Sequence, residues 1–218
     1  MTMAQASKDD QLLETALGLF ATHGYHAVGV DRIKDAAGVA KMTLYKHFPT
    51  KDILIERVLQ RRDEHMRASL LAAVEAARAR QSGGEKGGER GGEKARAKGA
   101  LAQLRAVFEW HRQWFAQPDF HGCMFIKASE EFLDDASAIR EAARLHKRWL
   151  QDLMAGVLRQ AGVRQHAALA AHLLVVLDGL IVNANLFRGQ DQVGASWKLV
   201  QSLLAPHLPA RPAALGRG

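Results

Sequence analysis

Proline occurs at only five positions in this chain of 218 residues: 49, 118, 206, 209 and 212. A proline inside a helix removes a hydrogen bond and clashes with the preceding turn, so the long blocks between these positions are free to be helical. These blocks are rich in Ala, Leu, Arg, Gln and Glu, which favour helices, and lack the alternation of Val, Ile and Thr that is typical of strands. The sequence therefore predicts an all-α protein.

Composition narrows the class of protein further. Hydrophobic residues make up 48% of the chain and charged residues 24%, as in ordinary globular proteins. The single cysteine, Cys123, excludes an intramolecular disulfide and a multi-cysteine zinc module. A net charge of +7 favours an anionic partner, with nucleic acid ahead of a membrane surface. The polar segment Met1 to Asp10 has no apolar run of the kind a secretory signal needs, so we expect a cytoplasmic protein.

One apolar stretch, Gln165 to Phe187, is long enough to test as a membrane span. Asp178 lies at its centre, where a charge costs about 2.5 to 3.5 kcal/mol on membrane insertion. We therefore expect a buried helix and no membrane association.

A glycine-rich segment divides the helical blocks. Residues 83–94 are three tandem copies of Gly-Gly-Glu followed by a base, and they contain no apolar side chain that could offset the entropy of ordering. We predict a flexible loop over residues 81–99. A phosphate-binding loop is the other interpretation of such glycines, but it needs a preceding strand, and the sequence predicts none.

The N-terminal residues predict three short helices and one long helix. Apolar spacing indicates helices over about residues 8–24, 30–37 and 41–48, and Thr50 is a suitable N-cap for a fourth. Gly38 allows a tight turn between the second and third helices, and this spacing is typical of a helix-turn-helix, whose second helix enters the DNA major groove. The residues from Lys41 to Lys51 include no acid, although acids and bases cancel over residues 1–53. Periodicity alone leaves a two-helix corner of an all-α enzyme as the alternative.

Several motifs in this region resemble one protein family. They are Leu13 to Phe20, His23-Gly24-Tyr25, Val30 to Ile33, Ala36 to Val39 and the run Lys41-Met-Thr-Leu-Tyr-Lys-His-Phe-Pro-Thr-Lys51. Together they resemble the DNA-binding domain of TetR-family transcriptional regulators. The resemblance implies a three-helix DNA-binding head with a helix-turn-helix, linked by a fourth helix to a C-terminal helical bundle domain that dimerises and binds a small effector.

The resemblance also implies which residues meet DNA. Tyr45, His47 and Lys51 match positions that contact phosphates, and the N-terminus of the fourth helix adds a positive dipole at Lys51. The full predicted set is Lys41, Met42, Thr43, Tyr45, Lys46, His47 and Lys51. The sequence departs from the family pattern at Val28, Gly29, Lys34 and Ala40, and Ala40 cannot cap the third helix with its side chain.

The same resemblance sets the predicted domains. Residues 1–53 form the DNA-binding domain, residues 54–208 the effector-binding and dimerisation domain, and residues 209–218 a disordered tail. Further helices are expected over about 100–117, 137–161, 165–188 and 192–207, and the segment from Phe120 to Phe132 is similar to one that recurs in a branch of the family.

Two sets of side chains in the C-terminal domain are candidates for binding. The last two helices resemble the pair that forms the dimer interface in the TetR family, which implies an interface comprising Ala171, Val175, Val182, Val193, Trp197, Val200 and Leu204. The predicted effector pocket comprises Phe108, Trp110, His111, Trp114, Cys123, Phe125, Trp149 and Asp178.

Other chemistry is less well supported by the sequence. His121, Cys123 and Glu130 do not form a closed ligand set, so no metal and no cofactor is expected. Cys123 as a redox sensor would need a lowered pKa, and a small buried thiol is the preferred interpretation.

The resemblance to the TetR family thus implies a dimeric, ligand-responsive repressor that binds palindromic double-stranded DNA and is not an enzyme. One alternative is an adaptor of the same fold whose C-terminal domain binds a protein instead of a small molecule. A remote alternative is an all-α metalloenzyme.

Overall fold

The computed structural model describes residues 7–82 and 92–208. Over these residues the secondary structure is entirely helical, as predicted. The helices are α1 (Lys8–His23), α2 (Val30–Ala37), α3 (Lys41–His47), α4 (Lys51–Ser82), α5 (Glu93–Phe115), α6 (Met124–Glu131), α7 (Ala138–Gln160), α8 (His166–Leu186) and α9 (Gln192–Leu204), followed by a short 3-10 helix, Ala205–His207.

The helices divide into two compact units. The first unit contains residues 7–68 and 121–147, and the second contains residues 69–82, 92–120 and 148–208. The first unit therefore includes α6 and the start of α7 in addition to the predicted head. This grouping differs from the predicted domain boundary at residue 53.

The first unit is built around α1 and α4. The N-terminus of α1 carries a capping box, in which the Ser7 hydroxyl accepts from the Asp10 amide and the Asp10 carboxylate accepts from the Ser7 amide. Arg61 of α4 donates to Asp10 and Glu14, each at 2.6 Å. The core between the helices is apolar, and its fully buried members include Leu12, Phe20, Ile33, Leu44, Leu54, Ile55 and Leu59.

The second unit has a larger apolar core. Helix α9 packs against α5 and α8, and the core draws on α4, α5, α7, α8 and α9. By length and composition α8 would be able to cross a membrane. Seven of its residues are nevertheless buried in this unit, as expected of a core helix: Leu169, Ala170, Leu173, Leu177, Leu180, Ile181 and Ala184.

The predicted loop over residues 81–99 is too long at both ends. Gln81 and Ser82 continue α4, and α5 begins at Glu93, because Glu93 to Lys98 are good helix formers and Gly92 serves as the N-cap. The intervening residues 83–91 and the predicted tail, residues 209–218, lie outside the described part of the chain.

Candidate nucleic-acid interface

The turn between α2 and α3 has the geometry that the sequence predicts. Gly38 adopts a left-handed conformation, with φ 62° and ψ 38°. Its amide donates to the Asp35 carbonyl at 3.2 Å, and the Val39 amide donates to the Lys34 carbonyl at 3.0 Å. These two bonds satisfy carbonyl groups at the end of α2 and turn the chain sharply. Helix α3 starts two residues later.

Helix α3 buries one face and exposes the other. Leu44 and the following Phe48 lie in the core of the first unit. Met42 is 82% exposed and Tyr45 is 39% exposed, and both are on the outer face with Lys41 and Lys46. An exposed methionine and tyrosine beside lysines suit contact with base edges and phosphates.

Two of the predicted DNA-binding side chains form ion pairs within the first unit. The Lys41 ammonium lies 3.2 Å from an Asp31 oxygen on α2, and His47 pairs with Asp9 on α1. The Lys41–Asp31 pair is exposed and the His47–Asp9 pair is partly exposed, so each contributes little to stability and can be exchanged for a contact with a phosphate.

Lys51 stands at the start of α4, whose N-cap is Thr50, as predicted. The Thr50 hydroxyl accepts from the Ile53 amide at 3.1 Å. Partial burial lowers the pKa of Lys51, while the Asp52 and Glu131 carboxylates oppose that shift. Burial therefore already removes part of the hydration that Lys51 would lose on meeting a phosphate. On α3, Thr43 and His47 are partly buried. Ala40, which precedes α3, is exposed and gives the helix no side-chain cap, as predicted.

Sequence reasoning missed the residues of α6 that hold the α1–α2 turn. The Glu131 carboxylate accepts from the Tyr25 amide at 3.0 Å and from the His26 amide at 2.7 Å. Lys127 donates to the carbonyl of Ala21 in the last turn of α1. The fully buried Tyr25 donates through its hydroxyl to the Met124 carbonyl at 2.9 Å. We call this set the α6 clasp: Ala21, Tyr25, His26, Met124, Lys127 and Glu131.

Gly24 shows how closely the clasp fits. It has φ 83°, a conformation that side chains disfavour, and an added Cβ would lie 2.7 Å from a Glu131 oxygen. Burial raises the pKa of Tyr25, so its hydroxyl stays protonated and available as a donor. The glycine and the tyrosine were visible in the sequence, but their partner residues lie about a hundred positions away.

The predicted pocket residues divide between the two units. Cys123 and Phe125 belong to the first unit, where Phe125 stacks on His146 with ring centroids 3.7 Å apart. The other six belong to the second unit. Phe108 is buried against Trp197, and Trp110 donates to the Ser69 hydroxyl at 2.8 Å.

His111 is satisfied inside the protein, because its Nδ1 lies 2.9 Å from the Val107 carbonyl oxygen. Asp178 and Trp149 are partly buried. Whether any member of this set contacts an effector stays a prediction. Among the described residues, no group of three or more His, Cys, Asp or Glu side chains is placed to hold a metal ion.

The predicted dimer interface needs a correction. Val193, Val200 and Leu204 are buried within the second unit of a single chain, because this side of α9 packs on α5 and α8. These three side chains therefore belong to the subunit's own core. Trp197 and Ala171 are partly buried, whereas Val175 is 72% exposed and Val182 is 45% exposed.

The first unit thus has the architecture of a helix-turn-helix DNA-binding protein. Residues 12–58 match the profile of the bacterial regulatory proteins of the tetR family. A TetR-family transcriptional regulator from Streptomyces coelicolor, SCO4454, is 30% identical over 92% of this chain and 95% of its own, with a TM-score of 0.74. The chain therefore belongs to the TetR family of transcriptional regulators.

Other relatives are similar over smaller shares or at lower identity. The regulator sav143 from Streptomyces avermitilis shares the fold, with a TM-score of 0.73 at 24% identity over 93% of this chain and 98% of that one. The transcriptional activator FasR of Mycolicibacterium smegmatis is 48% identical over 56 residues, and the repressor KstR2 of the same species is 42% identical over 55 residues. These matches span about a quarter of the curated relatives, 26% and 27% of their lengths. The relatives are regulators rather than enzymes.

Proposed function

We propose that this protein is a cytoplasmic homodimeric repressor that binds a palindromic operator and leaves it when a small-molecule effector binds the second unit. The observation that carries the DNA-binding part is the outer face of α3, where Met42, Tyr45 and Lys46 project from a buried Leu44 and Phe48. Lys51 at the start of α4 adds a phosphate contact in this proposal.

Dimerisation is supported by an exposed apolar face of α8. Val175, Val182 and Leu186 recur at i, i+7 and i+11 and are all exposed, with Phe187 following at the end of the helix. The opposite face of α8 is buried in the second unit. An exposed apolar stripe on such a helix is typical of a contact with a second subunit. Two heads held by such a dimer would meet successive major grooves of one operator.

Repression is the preferred direction of regulation. KstR2 of Mycolicibacterium smegmatis is a repressor and FasR of the same species is an activator, and each match covers about a quarter of this chain, 25% and 26%. A transcription assay on the operator with and without the purified protein distinguishes the two. A cleft of about 350 Å³ in the second unit, lined by the ends of α4 and α7 and the start of α5, supports a small-molecule effector over the adaptor that binds a protein.

The DNA-binding proposal is tested with Lys51→Ala in mobility-shift titrations at several salt concentrations, on an operator found by genomic footprinting. A dimer loses two phosphate contacts, so the slope of log K against log salt should shrink by about two units, at about 0.9 for each contact. Lys198→Ala on α9 is the matched control, since it removes the same charge from an exposed site in the second unit. Equal slopes for Lys51→Ala and the unaltered protein would contradict the role of Lys51.

A further inference from the structure

Met42 is the most exposed large apolar side chain among the described residues, at 82%. The backbone around it is firmly placed, because the Ala40 carbonyl accepts from the Thr43 amide at 2.9 Å and from the Leu44 amide at 3.2 Å. Leu44 itself is fully buried and anchors α3 in the first unit. Met42 therefore projects into solvent from a helix whose position is fixed by its other face.

The exposed residues of α3 occupy one face in a definite order. They are Lys41, Met42, Tyr45 and Lys46. Successive residues of an α-helix are rotated by about 100°, so the order around the helix is Lys41, Tyr45, Met42 and Lys46. The two lysines lie at the edges of this face, and the tyrosine and the methionine lie between them. When such a face enters a groove, its edges meet the phosphates and its centre meets the bases.

The chemistry of methionine restricts what Met42 recognises in the groove. Its side chain has no hydrogen-bond donor and only a weak acceptor, so it is a poor partner for the polar groups of the base edges. The major groove also presents one methyl group, at C5 of thymine. Methionine is unbranched and polarizable, and its end adapts to an apolar surface of this size. Ala40 is exposed as well and is equally apolar.

The exposure of Met42 also indicates where its apolar surface is used. A side chain that is 82% exposed contributes little to the packing of the first unit. Contact with a methyl group would remove apolar surface of both partners from water, which is favourable. Contact with a base that lacks the methyl would bury less apolar surface. The difference between the two contacts is a preference for thymine.

We propose that Met42 reads the C5-methyl group of a thymine in each half of the operator. The inference deepens the proposed function and rests on it, because it requires α3 to enter the major groove. Lys41 and Lys46 contact the flanking phosphates and so set the depth at which Met42 meets the base. The phosphate contacts weaken as salt rises, whereas the apolar contact supplies a preference among sequences.

The test uses the full-length protein and synthetic, unmethylated operator duplexes, in which thymine is the sole source of C5-methyl groups. Deoxyuridine replaces thymine at one symmetric pair of positions at a time, which removes the methyl group and keeps the base pair. At one pair or more, mobility-shift titrations should show binding weakened by about fourfold for each half-site, or about fifteenfold in all. This is the effect expected for the loss of one buried methyl group per half-site.

Variants assign the contact to Met42. Met42→Ala should weaken binding to the thymine operator, and uracil replacement should then cost this variant less than about twofold, because the contact is already lost. Met42→Leu keeps an apolar end and should retain most of the preference for thymine. Lys46→Ala is the matched control on the same exposed face, and it should weaken binding to both operators by the same factor. Circular dichroism checks the helical content of each variant, which should be unchanged because alanine and leucine favour helices.

The outcomes separate this contact from the DNA-binding function as a whole. A flat uracil scan with the unaltered protein would overturn the thymine contact. A thymine preference that Met42→Ala keeps in full would overturn the role of Met42. If the scan is flat but Lys46→Ala and Lys51→Ala weaken binding, the proposed function stands and only this inference fails. Unchanged binding by both lysine variants would instead contradict the proposed interface itself.

Discussion

The two tyrosines of this chain occupy opposite environments in the first unit. Tyr25 is fully buried and donates to the Met124 carbonyl, whereas Tyr45 is 39% exposed on α3. The same atom, a phenolic oxygen, therefore contributes to folding at one position and to DNA binding, in our proposal, at the other.

This contrast makes a paired prediction. Tyr25→Phe should lower the free energy of unfolding by about 1 to 3 kcal/mol, because it leaves the buried Met124 carbonyl without its donor. Operator affinity of the folded protein should change little. Tyr45→Phe should change unfolding by less than about 0.5 kcal/mol, as exposed substitutions do, and should weaken operator binding. Urea denaturation and mobility shifts on both variants provide the test, and the same profile in both would contradict these assignments.

His146 is a buried histidine of the first unit that contacts a carboxylate. It is buried, stacks on Phe125, and its Nδ1 lies 2.7 Å from an Asp63 oxygen, so the imidazole donates to the carboxylate. Burial lowers the pKa of His146, and the bond to Asp63 opposes that shift. Burial acts to raise the pKa of Asp63, but the hydrogen bonds from His146 and Arg67 outweigh it and the pKa is lowered.

The sign of the resulting pH dependence follows from linkage. A histidine with a lowered pKa in the folded state binds fewer protons than the unfolded chain below about pH 6.5, so stability falls as pH falls through that region. The slope from this group is at most about 1.4 kcal/mol per pH unit. Asp63 adds a further loss in stronger acid, as pH falls through its own lowered pKa.

Urea denaturation of the protein and of His146→Gln, between about pH 8 and pH 5, isolates this contribution. The glutamine amide keeps a donor near Asp63 but does not titrate. We expect the variant to be less stable at pH 8 and to lose less stability on acidification. Parallel curves for the two proteins would assign the pH dependence to other histidines.

At the scale of the element, two glycines differ in whether the backbone conformation requires them. Gly38 ends α2 at φ 62°, whereas Gly156 lies within α7, where an added Cβ would meet no atom within 4 Å. The first is required by the turn and the second is tolerated by the helix.

Alanine substitution should therefore change stability in opposite directions. Gly38→Ala forces a side chain into a left-handed conformation and should cost about 1 to 2 kcal/mol. Gly156→Ala should stabilise the protein by about 0.5 to 1 kcal/mol, because it removes backbone freedom from the unfolded chain and strains nothing in the helix. Melting temperatures of the two variants provide the measurement. A stabilising Gly38→Ala would mean that the turn does not need its left-handed residue.

Helix α9 shows that apolar periodicity predicts a buried face but not the chain that covers it. The stripe of Val193, Val200 and Leu204 correctly indicated a buried face, but the burial occurs inside the subunit. An apolar stripe looks the same in sequence whether it meets its own chain or another, because the hydrophobic effect is not directional. The stripe on α8 that remains exposed is the better candidate for the dimer.

At the scale of the whole molecule, dimerisation is tested on that exposed face. Val175→Asp combined with Val182→Asp leaves the core of the single chain intact, since both side chains point to solvent. In a dimer each charge would be buried without a partner at a cost of several kcal/mol. We expect monomers in sedimentation velocity, an unchanged helical content and weak operator binding.

Leu133→Asp supplies the control for this experiment. Leu133 is 76% exposed in the first unit, between α6 and α7, so it adds a charge to an exposed apolar residue away from α8. It should remain dimeric. A dimer of normal mass for the α8 double variant would move the interface elsewhere.

The sequence by itself determined the helical class, the helix-turn-helix and the outward face of α3. These features depend on helix caps, a glycine turn and apolar periodicity, all of which are set by residues within a few positions of one another. The positions of proline and glycine mark helix ends and turns in the sequence. It also placed Lys51 at the start of α4. Where local signals competed, as between the glycine repeats and the helix formers from Glu93 to Lys98, the start of α5 was predicted several residues too late.

Only the tertiary structure showed the contacts of the α6 clasp and showed that the apolar stripe of α9 is buried within its own subunit. Glu131 and Tyr25 are separated by 106 positions, and no local pattern distinguishes that carboxylate from the neighbouring Glu130. Such contacts arise from the way whole faces pack at close to crystal density, so they depend on side chains far apart along the chain and leave no periodic trace in it.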